Sequence, residues 1–272
     1  MKVKLIKTKA KEIFTKTKLP GSDWVINQYV GCQHACLYCY AKFISRWRPD
    51  NYGKWGSWIE AKMNAPDLVK GRQVKGWVYM SSISDPYSPI EKDLELTRKT
   101  LTNLDKKTKL CLQTKSDLVL RDIDIFKQFN EIEVGLTINS FKDREKDIFE
   151  PFSSPNNDRI EALKSLKENQ VKTFAFVSPI IPGLIDLKKI IQDTKKFTDY
   201  YWFELINIRG AGQEFLKTLE EKFPESYKIL KDSYENFRLS TNKNIIFWRS
   251  TIDSYLSITF SYLLKKESES NS

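Results

Sequence analysis

Between residues 24 and 223, short apolar runs alternate with amphipathic helical patterns, and that alternation limits the fold of this 272-residue chain more than any other feature. The runs Trp24–Tyr29, Trp77–Ser81, Leu110–Thr114, Val134–Ile138, Thr173–Val177 and Tyr201–Leu205 have the length and apolar character of buried strands. Each is followed by a helical pattern: Leu37–Arg46, Leu94–Leu104, Ile123–Phe129, Arg159–Lys167, Leu187–Lys196 and Glu214–Phe223. Strict β-α alternation implies a parallel sheet with right-handed crossovers. Six such units are too few for a closed eight-stranded barrel. The expected fold class is therefore α/β, an open, partial (β/α)6 TIM-like barrel over residues 24–223. A short basic N-terminal arm, 1–23, precedes it, and a C-terminal helical extension, 224–272, packs on it.

Composition narrows the class further. Hydrophobic content of 40% and charged content of 29% are ordinary for a soluble globular protein. No apolar stretch of about 18 residues is present, so no membrane span is expected. The opening MKVKLIKTKAKEIF lacks the apolar core of a secretory signal. Four cysteines, three of them clustered, do not make a disulfide framework, and the expected compartment is the reducing cytoplasm. Net charge is +10, and residues 1–18 hold seven lysines against one glutamate. Such a stretch either neutralises phosphates or is a solvated lead-in strand. The polar end, Lys265–Ser272, is expected to fray.

The chemistry concentrates in Gly31–Ala41, GCQHACLYCYA, where Cys32, Cys36 and Cys39 have the spacing C-x3-C-x2-C. Three thiolates can hold three irons of a [4Fe–4S] cluster and leave the fourth iron open to a small molecule. The same loop offers a Cys3His zinc set with His34, the only histidine. Zinc sites usually join two separated arms of ligands, and the sequence shows no second arm. Further polar segments follow the later strands: SSISDPYSPIE at 81–91, QTKSD at 113–117, TIN at 137–139, PIIPG at 179–183 and FELIN at 203–207. In parallel α/β sheets, ligands gather at these C-terminal strand ends. Phe43–Trp58 interleaves Phe43, Trp47, Tyr52, Trp55 and Trp58 with Arg46, Arg48 and Lys54. Two readings stand: a base-stacking, phosphate-holding surface, or a buried aromatic plug over the cysteine loop.

The cysteine spacing, with Tyr38 just before the last cysteine, resembles that of the radical S-adenosylmethionine (SAM) enzymes. The strings NAPDL, SDPYSPIE, TKSDLVLRDID, FEPFSSPNNDRIEAL and SPIIPGLID resemble the spore photoproduct lyase-like, or DNA repair photolyase, branch, over roughly residues 24–210. The resemblance implies a [4Fe–4S] cluster on Cys32, Cys36 and Cys39, with SAM chelated by the open iron. It further implies Tyr38 near the SAM adenine, Ser84 and Asp85 at the cofactor, and Lys115 at its carboxylate or ribose. Thr137 takes the place of a serine there, and Asn139 follows in the same motif. The implied reaction is reductive cleavage of SAM to a 5′-deoxyadenosyl radical that abstracts hydrogen. In the lyase this reverses a thymine dimer. The resemblance thus implies lyase chemistry in DNA repair, a nucleic acid or nucleotide substrate, and an external flavodoxin- or ferredoxin-like electron donor.

Departures from that pattern are specific. Ser82 stands where the lyase carries the cysteine that returns a hydrogen, and a serine O–H bond is too strong for that task. Cys111 lies inside a predicted strand, as a small core residue does. The lyase's Gly/Tyr-rich C-terminal hairpin is absent from the sequence. Tyr40 and Tyr87 read either as radical quenchers or as packing. Two other functions remain open at this point: a radical SAM enzyme acting on a peptide or small metabolite, and a non-catalytic nucleic-acid-binding protein with a structural zinc or cluster.

Overall fold

The computed structural model describes residues 3–239. In chain order the strands are β1 Lys4–Thr8, β2 Phe14–Lys16, β3 Trp24–Ile26, β4 Tyr29–Val30, β5 Trp58–Lys62, β6 Trp77–Met80, β7 Lys109–Thr114, β8 Ile132–Thr137, β9 Lys172–Ile180 and β10 Tyr200–Leu205. The main sheet has seven strands in the order β10-β9-β8-β7-β6-β3-β2. All its neighbours pair in parallel except β2, which runs antiparallel to β3 at the edge. Five helical crossovers thus join six parallel strands, and the architecture is the expected open (β/α)6 partial barrel. A second sheet, β1-β5-β4, has three strands.

Alternation along the strands separates two faces. Val78, Leu110, Leu112, Val134, Leu136, Ala175 and Val177 are fully buried beneath the helices. Residues of the opposite parity line the concave face, where the registers bring together Tyr79, Cys111 and Glu133 in one row and Gln113, Gly135 and Phe174 in the next. Gly135 is there for space. A Cβ at that position would lie 2.2 Å from the Phe174 ring. Phe174 in turn stacks on Tyr200 at 5.2 Å and meets Trp202 at 5.3 Å, so aromatic rings fill the concave face of β9 and β10.

Several expected elements differ. The lysine-rich N-terminal segment does not hang free: β1 pairs in parallel with β5, and β2 borders the main sheet. The run Trp24–Tyr29 divides, because the side chains of Asn27 and Gln28 leave the strand to bind the chain after β6. Asn27 accepts from the Ser82 N–H at 2.8 Å, and Gln28 donates to Thr97 at 2.8 Å. The helix expected at Leu37–Arg46 is a 3₁₀-helix at Tyr40–Trp47. Helix Asp143–Phe149 and strand β5 were not anticipated. The helix expected at Glu214–Phe223 spans Ile208–Lys222 and bends at Gly212, whose φ is +79°. Of the expected C-terminal extension, Pro224–Leu239 is helical and the rest lies outside the described residues.

Candidate active site

Two glycines set the path of the cysteine loop. Gly31 has φ +86°, and a Cβ on it would lie 2.8 Å from the Trp58 carbonyl. Gly56 has φ +91°, and its Cβ would lie 2.4 Å from the Ala35 Cβ. Both conformations favour glycine, and both let the loop press against β5 and the turn before it. Within the loop, Ala35 N–H donates to the Cys32 carbonyl at 3.4 Å, Cys39 N–H to Cys36 at 3.1 Å, and Leu37 N–H to Phe149 at 2.9 Å. The Cys36 carbonyl, which an α-helix starting at Leu37 would offer to the N–H of Tyr40, is taken instead by Cys39 N–H in a tighter turn. Cys32 and Cys36 are buried, Cys39 is half-buried, and all three thiols are free. Burial pushes each of them up to about 12.

Among the described residues no three His, Cys, Asp or Glu side chains gather closely enough to hold one metal ion. A mononuclear zinc needs its ligands within about 2.3 Å of one point, so the Cys3His set is not formed. A [4Fe–4S] cluster takes one thiolate per iron and does not require that convergence. His34 is instead fully buried, with Nδ1 3.7 Å from the Asp85 carboxylate and no hydrogen bond.

The loops after β6, β7 and β8 meet beside the cysteines. Asp85 accepts from Thr114 Oγ1 at 2.6 Å and from the backbone N–H groups of Tyr87 and Lys115 at 2.8 and 2.9 Å. It therefore staples the β6 loop to the end of β7. Ser84 Oγ is buried without a hydrogen-bond partner. A polar ladder crosses the concave face: Tyr79 donates to Gln113 at 2.6 Å, and Gln113 donates to Thr137 Oγ1 at 3.0 Å. Lys115 Nζ completes it at 3.4 Å from the same Thr137 oxygen, and has no ion-pair partner among the described residues.

Beneath the cysteines lies a second, closed network around Glu150. Arg159 and Glu150 are both fully buried and pair at 2.5 Å. Glu150 also accepts from the Tyr38 hydroxyl and from Asn139 Nδ2, the latter at 3.1 Å. Burial alone would push this carboxyl up, but Arg159 first, then Lys115, hold it down at about 2. Tyr38 is thus turned inward, with Lys115 5.8 Å above its ring. Asn139 is engaged at both ends of its amide, since its Oδ1 accepts from Phe141 N–H at 3.3 Å.

At the mouth, Ser82 Oγ lies 3.2 Å from Asn27 Nδ2, and the Ser82 carbonyl accepts from Tyr40. The aromatic segment after the cysteines divides in two. Trp58 is fully buried, with Tyr52 at 5.4 Å and Trp55 at 5.9 Å, and these rings form the plug. Phe43 and Trp47 remain exposed. Tyr87 is fully buried and donates to Asp122 at 2.9 Å, which is a packing role. Cys111 is buried in β7, on the concave row between Tyr79 and Glu133. A separate groove, lined by Glu131, Glu133 and Lys172 among others, lies at the N-terminal ends of the strands and holds none of the site residues.

The profile of the Radical SAM superfamily matches residues 26–193. The chain belongs to the radical SAM superfamily. It is an enzyme of a class that uses a [4Fe–4S] cluster and SAM, and the non-catalytic zinc reading falls away. It is 56% identical over 231 residues to an uncharacterized protein of Methanocaldococcus jannaschii, covering 85% of this chain and 88% of that one. It is 30% identical over 214 residues to an uncharacterized protein of Acidianus two-tailed virus, covering 74% and 69%. Among solved structures it is similar in fold to a spore photoproduct lyase variant with bound AdoMet and dinucleoside spore photoproduct. The TM-score is 0.58 at 17% identity, covering 81% of this chain. The chain spans 66% of the length of that lyase. No helix among the described residues is long and apolar enough to cross a membrane.

The residues present fit a radical SAM cofactor pair. Three free thiols, one lysine without an ion-pair partner and one orphaned buried hydroxyl converge from three strand ends. Carboxylate, hydroxyls and sulfonium-bearing chain of SAM require such groups. Glu150 and Arg159 are the residues that sequence reasoning missed. Their segment carried part of the resemblance, but nothing local marks Glu150, whose partner Tyr38 lies 112 residues away.

Proposed function

We propose that this radical SAM enzyme holds its [4Fe–4S] cluster on Cys32, Cys36 and Cys39, binds SAM beside it, and abstracts hydrogen from a nucleic acid or nucleotide. When bound, the pair supplies a 5′-deoxyadenosyl radical. Lys115 Nζ faces the SAM carboxylate or ribose in this reading, and Ser84 Oγ gives it a hydrogen bond. Thr137 keeps Lys115 aimed. Asp85 acts through the loops that it staples, and Tyr38 and Asn139 act as groups anchored by Glu150. The mouth formed by Asn27, Ser82 and Tyr40 takes the substrate. Ser82 Oγ keeps its hydrogen, so the final step differs from that of a lyase with a cysteine in its place.

The carrying observation is Lys115, with no ion-pair partner among the described residues, beside three free thiols in one buried loop. The nucleic-acid reading rests on lyase structures that hold a dinucleoside spore photoproduct and on this chain's charge of +10. Lyase-type repair of DNA is the form of the reaction that this similarity favours, with a flavodoxin- or ferredoxin-like donor in a reducing cytoplasm. The test is anaerobic. Reconstituted protein is given SAM and dithionite, and 5′-deoxyadenosine is measured with no DNA, undamaged DNA and irradiated DNA. We expect about four irons per chain, turnover abolished in Cys36→Ala, and stimulation by DNA. A verified cluster that yields no 5′-deoxyadenosine refutes the cofactor assignment. Turnover indifferent to DNA moves the substrate to peptides or metabolites.

A further inference from the structure

We propose that the exposed edge of the 3₁₀-helix Tyr40–Trp47 is a stacking platform for single-stranded DNA flanking the reacting nucleotide. This rests on the nucleic-acid reading above and adds a surface to it. In a 3₁₀-helix, side chains at i and i+3 eclipse. Tyr40, Phe43 and Arg46 therefore share one edge, and Trp47 flanks it. Exposure is 47% for Tyr40, 40% for Phe43 and 68% for Trp47, while Ala41 and Ile44 turn into the core. The rings touch in series: Tyr40 to Phe43 at 6.5 Å and 25°, Phe43 to Trp47 at 5.5 Å and 85°. Contiguous exposed rings mark an interaction site, and these are not needed for the plug, which Tyr52, Trp55 and Trp58 supply.

Position and charge identify the occupant. The row begins one residue after Cys39, and Tyr40 reaches the Ser82 carbonyl, so its inner end is the mouth itself. On the other side, a Cβ at Gly210 would lie 2.8 Å from the Tyr40 Cβ, so the start of the helix Ile208–Lys222, which includes Arg209, abuts the row. Arg46 and Arg209 are exposed, and neither has an ion-pair partner among the described residues. Flat apolar faces with free cations beside them suit unstacked bases and their phosphates. Duplex bases present no free face, so the strand is single or locally opened, which chemistry on a base requires in any case.

The experiment measures binding of a labelled single-stranded DNA oligonucleotide to the reconstituted holoenzyme by fluorescence anisotropy. Iron content and DNA-independent 5′-deoxyadenosine formation serve as controls. Phe43→Ala and Trp47→Ala should each weaken binding about tenfold, within the range for one stacked base, and leave both controls unchanged. Trp47→Phe should recover most of the affinity. Arg46→Gln should lower the salt slope by about 0.7. Ring-deleted variants that bind like the parent would overturn the platform while leaving the nucleic-acid reading intact. A parent that neither binds DNA nor is stimulated by it removes both. Variants with normal DNA affinity that turn over slowly with flavodoxin but normally with dithionite would make this a donor-docking surface instead, and so overturn the proposal. A tenfold preference for RNA of the same sequence would overturn the assignment to DNA.

Discussion

Glu150 connects the largest number of site residues through one side chain. It binds Tyr38 from the cysteine loop, Asn139 from the end of β8, and Arg159 from the helix Asn156–Glu168. Its pKa of about 2, against a usual 4.5, makes the pH dependence of stability calculable in sign. A carboxyl held low stabilises the fold fully above 4.5, and that contribution is lost as pH falls from there toward 2. Glu150→Gln keeps the shape but leaves Arg159 buried and unpaired, at a cost of about 3–5 kcal/mol. Urea unfolding at pH 7 should show that loss, and the gap between variant and parent should narrow below pH 4.5. An equal gap at both pH values would show that Glu150 is not ionised in the folded protein. The sequence pointed to Cys32, Cys36, Cys39, Ser84 and Lys115 as candidates, because each belongs to a short polar motif at a strand end. It hid Glu150 because the contact that ties it to the cysteine loop, with Tyr38, joins segments 112 residues apart.

At the scale of elements, the six parallel strands were legible because each reads as a short, mainly apolar run with a helical pattern after it. The pairing of the small sheet was not: a lead-in strand was one of the two readings of the lysine-rich start, but its partner β5 begins with Trp58, a residue 54 positions from Lys4. The apolar spacing of the 3₁₀-helix suits an α-helix equally, and the decision lies in the tight turn in which Cys39 N–H takes the Cys36 carbonyl. That loop depends on β5 and on the turn before it through contacts without slack. Gly56→Ala would place a Cβ 2.4 Å from Ala35, at a φ of +91° that alanine rarely adopts. The expected result is a protein with normal far-ultraviolet circular dichroism, since Gly56 lies outside the sheets, but with reduced iron per chain after reconstitution. Full iron occupancy in this variant would show that the loop can shift without losing its thiolate geometry.

For the molecule as a whole, the excess charge has a fixed address. Residues 1–18 hold seven lysines and one glutamate, and their strands are built into both sheets. Lys4, Lys7, Lys9, Lys11, Lys16 and Lys18 are all exposed. Two of them rest on aromatic rings, Lys4 on Tyr52 at 5.1 Å and Lys16 on Trp24 at 4.7 Å. Lys7, Lys9 and Lys11 have no such partner among the described residues. Lys7 lies in β1 beside β5, the strand that backs the cysteine loop, and Lys9 and Lys11 follow it in the connection to β2, so that the three form a basic border. A border of this kind attracts a polyanion without reading its sequence. Replacing Lys7, Lys9 and Lys11 together with Gln should weaken binding equally for single strands of different sequence. It should also flatten the dependence of log affinity on log salt, by about 0.7 for each lysine that meets a phosphate. The rate of 5′-deoxyadenosine formation without DNA should not change, because these lysines lie outside the proposed cofactor site. An unchanged salt slope would make them solvated lysines of the edge strand β1 and of the connection after it, and would leave Arg46 and Arg209 to carry the electrostatics of DNA binding at the mouth.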